Sequence, residues 1–388
     1  MSQLSNIIVV FIVFLFALGC NSTSQENTNS SQEKQQTASA VSSTVHYAKT
    51  FKLEYKEGYK LLHLIDPFSG YQNTTTFALL PHGAKKPEGF KKNQIIRIPV
   101  KKVITTTTAQ TSMMEELGSI DCIKGYVAKD YMYSQPILDK MDNGEIIAVG
   151  YDIASNTEKI IASTADLVVV SGSSTTNSSS FPILNKVNIP VIANTDWQEN
   201  HLLGRAEWIK VFGALLDKEK EANTIFEEVE RKYKEYIELA KKADSKPSVI
   251  SGLPYKGMWS VPGGKSYLAI AFDQATADYP WSETTQTGSI QLDLEAVYAK
   301  GGHADYWFNV GQLTTLEALK NNDSRYTKFN AFKEGNVYNS NKRLRNGMAN
   351  DYWATGMVHP ELILADLIKI LHPDLLPDHQ LFFYHKLK

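Results

Sequence analysis

The strongest constraint on this chain is a phrase that occurs twice. Glu158-Lys-Ile-Ile-Ala162 leads into Ala165-Asp166-Leu-Val-Val, and Glu295-Ala-Val-Tyr-Ala299 leads into Ala304-Asp305-Tyr-Trp-Phe, 137 to 139 positions further on. Each copy reads as a helix with Glu in its first turn, a short connection, and a buried strand opened by Ala-Asp. Between the copies, apolar residues fall at Ala222, Ile225, Phe226, Val229, Tyr233, Tyr236, Ile237 and Ala240. That spacing predicts one helix over 218–242 with a single apolar stripe and Lys and Glu elsewhere. A helix of about 25 residues is about 38 Å long, enough to run from one domain to another. The expected fold class is therefore α/β: two Rossmann-like lobes with mainly parallel sheets, joined by a single long interlobe helix.

Other segments fit that frame. Val100–Thr106, Asp166–Ser171 and Pro190–Asn194 read as strands of a first lobe, with a short helix over Ser112–Leu117. Helical patterns between such runs suggest βαβ units and a parallel sheet. In the second lobe, Tyr267–Gln274 and Pro360–Leu371 read as helices, and Asp305–Val310 and Gly335–Asn339 as strands. Ahead of both lobes, Phe51–Asp66 and Thr74–Leu80 are expected to form a pair of strands in a short N-terminal β extension. Ser155-x-x-Glu158 fits a capping box, and Glu295 after Asp293 suits a helix dipole, so both repeated glutamates also have structural readings.

The chain begins with an apolar run, Ile7–Leu18, too short to span a bilayer comfortably and of signal-peptide length. It ends in Ala17-Leu-Gly-Cys20. Small residues before cysteine resemble a bacterial lipobox, in which Cys20 is the lipidated residue. Asn21–Ser43 is Asn, Ser, Thr, Gln and Glu with almost nothing apolar, a composition that cannot offset its ordering entropy. It reads as a flexible tether reaching roughly 25 Å on average. The expected organisation is 1–19 signal peptide, 20–43 tether, 44–92 β extension, 93–217 first lobe, 218–244 interlobe helix and 245–388 second lobe. With Cys20 lipidated, the remaining cysteine, Cys122, has no disulfide partner. The net charge of −2 argues against a nucleic-acid partner, which needs a concentrated basic surface.

From about residue 95 to 375 the chain resembles the ABC-importer substrate-binding lipoproteins that handle iron–siderophore complexes, haem and cobalamin. The resemblance is carried by Val103-Ile-Thr-Thr-Thr-Thr-Ala-Gln, Glu158–Val170, the connecting helix and Glu295–Phe308. His201-Leu-Leu-Gly-Arg-Ala-Glu-Trp-Ile-Lys210, Gly263-Gly-Lys-Ser-Tyr267 and Asn350-Asp-Tyr-Trp-Ala-Thr-Gly356 look like a branch seen in Bacteroidetes-type bacteria. The resemblance implies a monomeric, lipid-anchored periplasmic protein of the cell envelope. It implies that Glu158 and Glu295 dock onto Arg residues of an ABC permease dimer served by ATPase subunits. It also implies a stiff strut that permits only slight closure, no catalytic residues and no resident cofactor.

Ligands of open α/β sheets bind beyond the carboxyl ends of strands, and with two lobes these ends face each other. Trp197, Arg205, Tyr255, Trp259, Trp281, Arg343, Arg345, Tyr352 and Trp353 follow such ends or lie close by and are the candidate ligand-binding residues. Flat rings stack on planar ligands, and Arg pairs with oxygen-rich anions. Trp208 and Trp307 sit in apolar patterns and are assigned to the core. The Gly/Ser/Thr run Ser171–Ser180 borders the cleft or is a solvated connector. Gly263-Gly-Lys-Ser lacks the first glycine of a phosphate-binding loop, Trp259 standing there. The nine histidines show no close helical pair in the lobes, so no metal site is assigned. The expected ligand is an iron(III)-siderophore or haem-like chelate. Cobalamin is an alternative, and an envelope enzyme or surface module using the same cleft is the reading from another class.

Overall fold

A computed structural model describes residues 42–65, 74–172 and 180–388. The signal segment, Cys20, nearly all of the tether and most of the Ser171–Ser180 run lie outside the described residues.

The chain is a mixed α/β structure with parallel sheets in two lobes. The first lobe holds a five-stranded parallel sheet in the spatial order Ile147–Ala148, Ile123–Tyr126, Val103–Thr105, Leu167–Ser171, Val191–Asn194. Its central strands are short β-branched runs buried on both faces, the pattern parallel sheets require. In the second lobe Val249–Ser251, Tyr306–Phe308 and Val337–Asn339 run parallel, and His385–Lys386 closes one edge antiparallel. Beside it, Pro254–Tyr255, Met258–Pro262 and Ser289–Leu292 form an antiparallel sheet.

The repeated phrase has a repeated structure. Glu158 is the second residue of helix Thr157–Ala162, and Glu295 the second of helix Leu294–Gly301. Each helix feeds a parallel strand, and each strand is entered through the same tie. The Asp166 carboxylate accepts the N–H groups of Lys101 and Lys102 at 3.1 and 3.0 Å, and that of Asp305 accepts Ser248 N–H at 2.8 Å and its hydroxyl at 2.7 Å. These bonds set the register in which Val103 pairs with Leu167 and Val249 with Tyr306. The capping box expected at Ser155 does not form. The N-cap falls one residue later, at Asn156, and the Asp152 side chain takes the N–H groups of Ala154 and Ser155.

The long helix runs Glu219–Ala240, about 33 Å. It buries Ala222, Phe226, Val229, Tyr233 and Ala240 against Ile209–Leu216 of the first half and Pro360–Leu371 of the second. Its first residue, Glu219, is ion-paired to Lys60, and its last carbonyl, at Ala240, accepts from Thr276 Oγ1 at 2.9 Å.

The N-terminal extension holds more than a strand pair. Glu57-Gly58 turns the first run back on itself, with Gly58 at φ 79°, so Phe51–Lys56 and Tyr59–Ile65 are an antiparallel hairpin. Thr74–Pro81 adds antiparallel and Ile95–Ile98 parallel. The turn was missed because Lys56 and Tyr59 continue the alternation across it. Upstream, residues 42–50 lie as a strap over the segment His201–Lys210. The buried Glu207 carboxylate accepts the backbone N–H groups of His46, Tyr47 and Ala48 at 2.7–2.9 Å. Glu199 accepts those of Lys49 and Thr50 at 2.9 Å and also takes the Thr50 hydroxyl. Lys210 pairs with Glu207 and donates to Thr44 O, and Gly204 is a glycine where a Cβ would press on Tyr47 O at 3.2 Å.

Candidate ligand-binding cleft

Strand ends from both lobes converge on one crevice. Thr106–Thr108 follow Val103–Thr105 in the first lobe. Asn309 and Gly311 follow Tyr306–Phe308, and Ser340 and Asn341 follow Val337–Asn339, in the second. The wall between them is a small hairpin, Leu344–Arg345 paired with Ala349–Asn350, and the turn Asp351–Trp353. Two neighbouring spaces share Met348, Asn350 and Trp353 as lining. One, about 250 Å³, is bounded by Thr106–Thr108, Tyr126, Tyr131 and Tyr151; the other, about 320 Å³, by Tyr267, Asn309, Asn339, Asn341 and Tyr352. A third, about 630 Å³, lies across the hairpin along Ser112, Glu115, Tyr133 and Thr355. The hairpin reaches over to the first lobe: Arg345 donates to Met132 O at 2.8 Å and Lys129 O at 2.9 Å, and Thr108 Oγ1 to Trp353 O at 3.0 Å.

The expected residues part company here. Trp353 stands 47 % exposed between the two smaller spaces, and Tyr352 lines one of them with an otherwise buried ring. Trp197 and Tyr255 are exposed beyond their strand ends, Trp197 anchored by its indole N–H to Gly172 O at 2.7 Å. Trp259 and Trp281 are core residues and do not face a cleft, although Trp281 does lie in a turn. Trp259 lies on strand Met258–Pro262, fully buried and stacked on Trp307 at 5.3 Å, with its N–H spent on Ser251 O. Trp281 packs on Tyr279 and over Gly301. The chain returns from Tyr255 through Gly257 as a hairpin, which carries Trp259 back under the sheet.

Each of the three arginines makes internal bonds, and Arg345 also lines the space of about 630 Å³. Arg205 is buried, donates to Trp197 O at 2.8 Å and lies 3.8 Å over the Tyr267 ring. Arg343 is ion-paired to buried Asp351 at 2.5 Å and lies over Phe382. Arg345 is held by carbonyls, as described.

The residues not foreseen are tyrosines. Tyr131 and Tyr151 meet edge to face at 5.7 Å, and Tyr151 is 64 % exposed. Local desolvation and the neighbouring Tyr131 phenol push the Tyr151 pKa up. Both follow strands of two to four residues, too brief to leave a periodic signature. At Gly263-Gly264 the glycines serve packing, since a Cβ on Gly264 would stand 2.2 Å from Ser282 O. Among the described residues no group of His, Cys, Asp and Glu is placed to hold a metal, and no helix is long and apolar enough to cross a membrane.

Glu158 is exposed and has no ion-pair partner among the described residues. Glu295 is exposed too, paired with Arg325 at 3.0 Å.

A family model described as periplasmic binding protein matches residues 103–344. An uncharacterized lipoprotein of Methanocaldococcus jannaschii is 28 % identical over 79 % of this chain and 73 % of its own length. The fold is shared with a possible iron-binding (periplasmic solute-binding) protein of Staphylococcus epidermidis (TM-score 0.55, 15 % identity, 71 % of this chain and 99 % of that one). It is shared equally with the periplasmic heme binding protein HutB of Vibrio cholerae (TM-score 0.53, 15 % identity, 68 % and 99 %).

Proposed function

The chain belongs to the periplasmic binding protein family, and on that footing we propose that it captures an iron(III)-siderophore or haem-like chelate between its lobes and hands it to the permease of an ABC importer. One observation carries this reading: exposed rings from both halves, Tyr131, Tyr151 and Trp353, gather at the carboxyl ends of the strands around the space of about 250 Å³. Large aromatic faces left in water at the mouth of a crevice have a stacking partner to find. The phenol oxygens of Tyr131 and Tyr151 also suit ferric iron. Cobalamin remains the second ligand reading, favoured by the two smaller spaces having no Lys or Arg in their lining. The rival class, an envelope enzyme using the same cleft, parts from this one by turnover of a bound compound.

The remaining roles follow from the same reading. Cys20 holds the protein to a membrane through lipid. The helix Glu219–Ala240 is the strut between lobes 93–217 and 245–388 and keeps closure slight. Glu158 and Glu295, each at the start of an equivalent helix, dock a monomer onto paired Arg sites of the permease dimer, charge-assisted bonds that fix orientation and steer encounter.

The test is an intrinsic tryptophan titration with ferric siderophores, haem and cobalamin. Saturable quenching that disappears in Trp353→Phe is expected; no response to any of them overturns the capture reading. For docking, the double change Glu158→Ala, Glu295→Ala is expected to abolish transport while leaving ligand affinity intact. Unimpaired transport would overturn that role.

A further inference from the structure

We infer that the second-lobe side of the cleft reads uncharged amide or carbonyl groups, so that the captured ligand is a neutral, amide-bearing metal chelate and not an anionic one. This rests on the capture reading above and narrows it.

The space of about 320 Å³ is lined by carboxamides: Asn309, Gln312, Asn339, Asn341 and Asn350. Most are already employed. Asn339 donates to Gly311 O and Leu313 O at 2.8 Å, Asn350 donates to Ser340 O at 3.1 Å, and Asn309 donates to Ser251 Oγ at 3.2 Å. Asn341 is the exception. It is 7 % exposed, its Oδ1 meets His385 Nε2 at 2.6 Å, and its Nδ2 is buried with no partner among the described residues. Turning the amide over only exchanges the atom that is left over. Either way a buried polar atom of a residue lining the space has no partner among the described residues, and such an atom calls for one, a ligand group in that space being the inferred partner. Gln312, exposed in the same wall, is likewise unbonded among the described residues.

Charge tells the same story. No Lys or Arg lines either smaller space; Arg205 donates to Trp197 O, Arg343 pairs with Asp351, and Arg345, bonded to the Lys129 and Met132 carbonyls, lines only the larger space across the hairpin. A carboxylate or catecholate entering here would lose its hydration and meet no cation. An amide group loses less, and both donates to and accepts from carboxamides. The rings of Tyr131, Tyr151 and Trp353 complete a site for a flat or compact body with neutral hydrogen-bonding arms.

The experiment uses the purified protein and four probes followed by tryptophan quenching. Cyanocobalamin and ferrichrome are neutral and amide-bearing; hemin carries carboxylates and ferric enterobactin a net negative charge. At least one neutral probe is expected to bind about tenfold or more tighter than both anionic ones. Cyanocobalamin leading assigns a corrinoid, and ferrichrome leading a hydroxamate peptide. Asn341→Leu is expected to cut that preference by about tenfold. Affinity for the neutral probe should hold steady as salt rises from about 0.05 to 0.5 M, a measurement that needs no variant. Tighter binding of hemin or ferric enterobactin, or affinity that falls steeply with salt, overturns the inference while leaving capture intact. Silence from all four overturns capture itself, and this with it.

Discussion

The seam beneath the strap and the mouth of the cleft use polar residues in opposite ways. At the seam, Glu207, Lys210 and Glu199 are buried and every charge is answered, by backbone N–H groups, by one another or by the Thr50 hydroxyl. At the mouth, rings and amides are left open and the charges nearby are turned inward. The contrast teaches that a charged residue in a recognisable phrase is no guide to ligand binding here. His201–Lys210 supplies the cradle that holds residues 42–50, and the two smaller spaces of the cleft are lined by rings, hydroxyls and carboxamides.

That division can be broken most severely at Glu207. Glu207→Ala leaves three N–H groups and buried Lys210 without their partner, and a loss of about 3–5 kcal/mol of unfolding free energy is expected. Chemical denaturation checks it, with ligand affinity at low temperature unchanged. A loss under about 1 kcal/mol would mean that the strap is not held as described.

Next in size is a pH effect at His359, which joins Glu116 of the first lobe to Glu361 of the second at 3.1 Å each. Burial alone would lower its pKa, but the two carboxylates outweigh that and raise it to about 9. A raised histidine stabilises fully below its unfolded pKa near 6.5 and ceases to as pH climbs through about 9. Stability should therefore fall by up to about 3 kcal/mol across that window, and His359→Gln should flatten the profile. An unchanged profile in the variant would remove His359 as the cause.

At the mouth the expected sign is reversed: binding suffers and folding does not. Trp353→Ala should weaken ligand binding by about 1–2 kcal/mol, roughly tenfold, with the melting temperature hardly moved. Smallest is Glu295→Gln, which breaks an exposed pair with Arg325. It should shift stability by less than about 0.5 kcal/mol. A larger shift would mark Glu295 as structural.

What the sequence disclosed depended on how local the cause was. Tyr267–Gln274 and Pro360–Leu371 were legible to the residue, because apolar periodicity and caps are written within each segment. The duplicated phrase disclosed the two lobes for the same reason. Arg345 was misleading because what satisfies it, Met132 O, lies 213 positions away. Trp259 was misleading because a tight hairpin returns it to the core, where Tyr326 and Phe329 also pack on it. Asn341 gave no signal at all: its meaning lies in one unanswered atom.

The strap has one more consequence. At His46 and Lys49 it is gripped by its main chain, and their exposed side chains contribute little to the grip. A scan should accept almost any replacement at His46 and Lys49 except proline, which has no N–H to offer, while Glu199 and Glu207 accept almost none. Tyr47, whose hydroxyl donates to Glu230, and Thr50, whose hydroxyl donates to Glu199, are held by their side chains as well and should resist change. Substitution tolerance would then split the strap position by position, sorting main-chain grip from side-chain grip within one short segment.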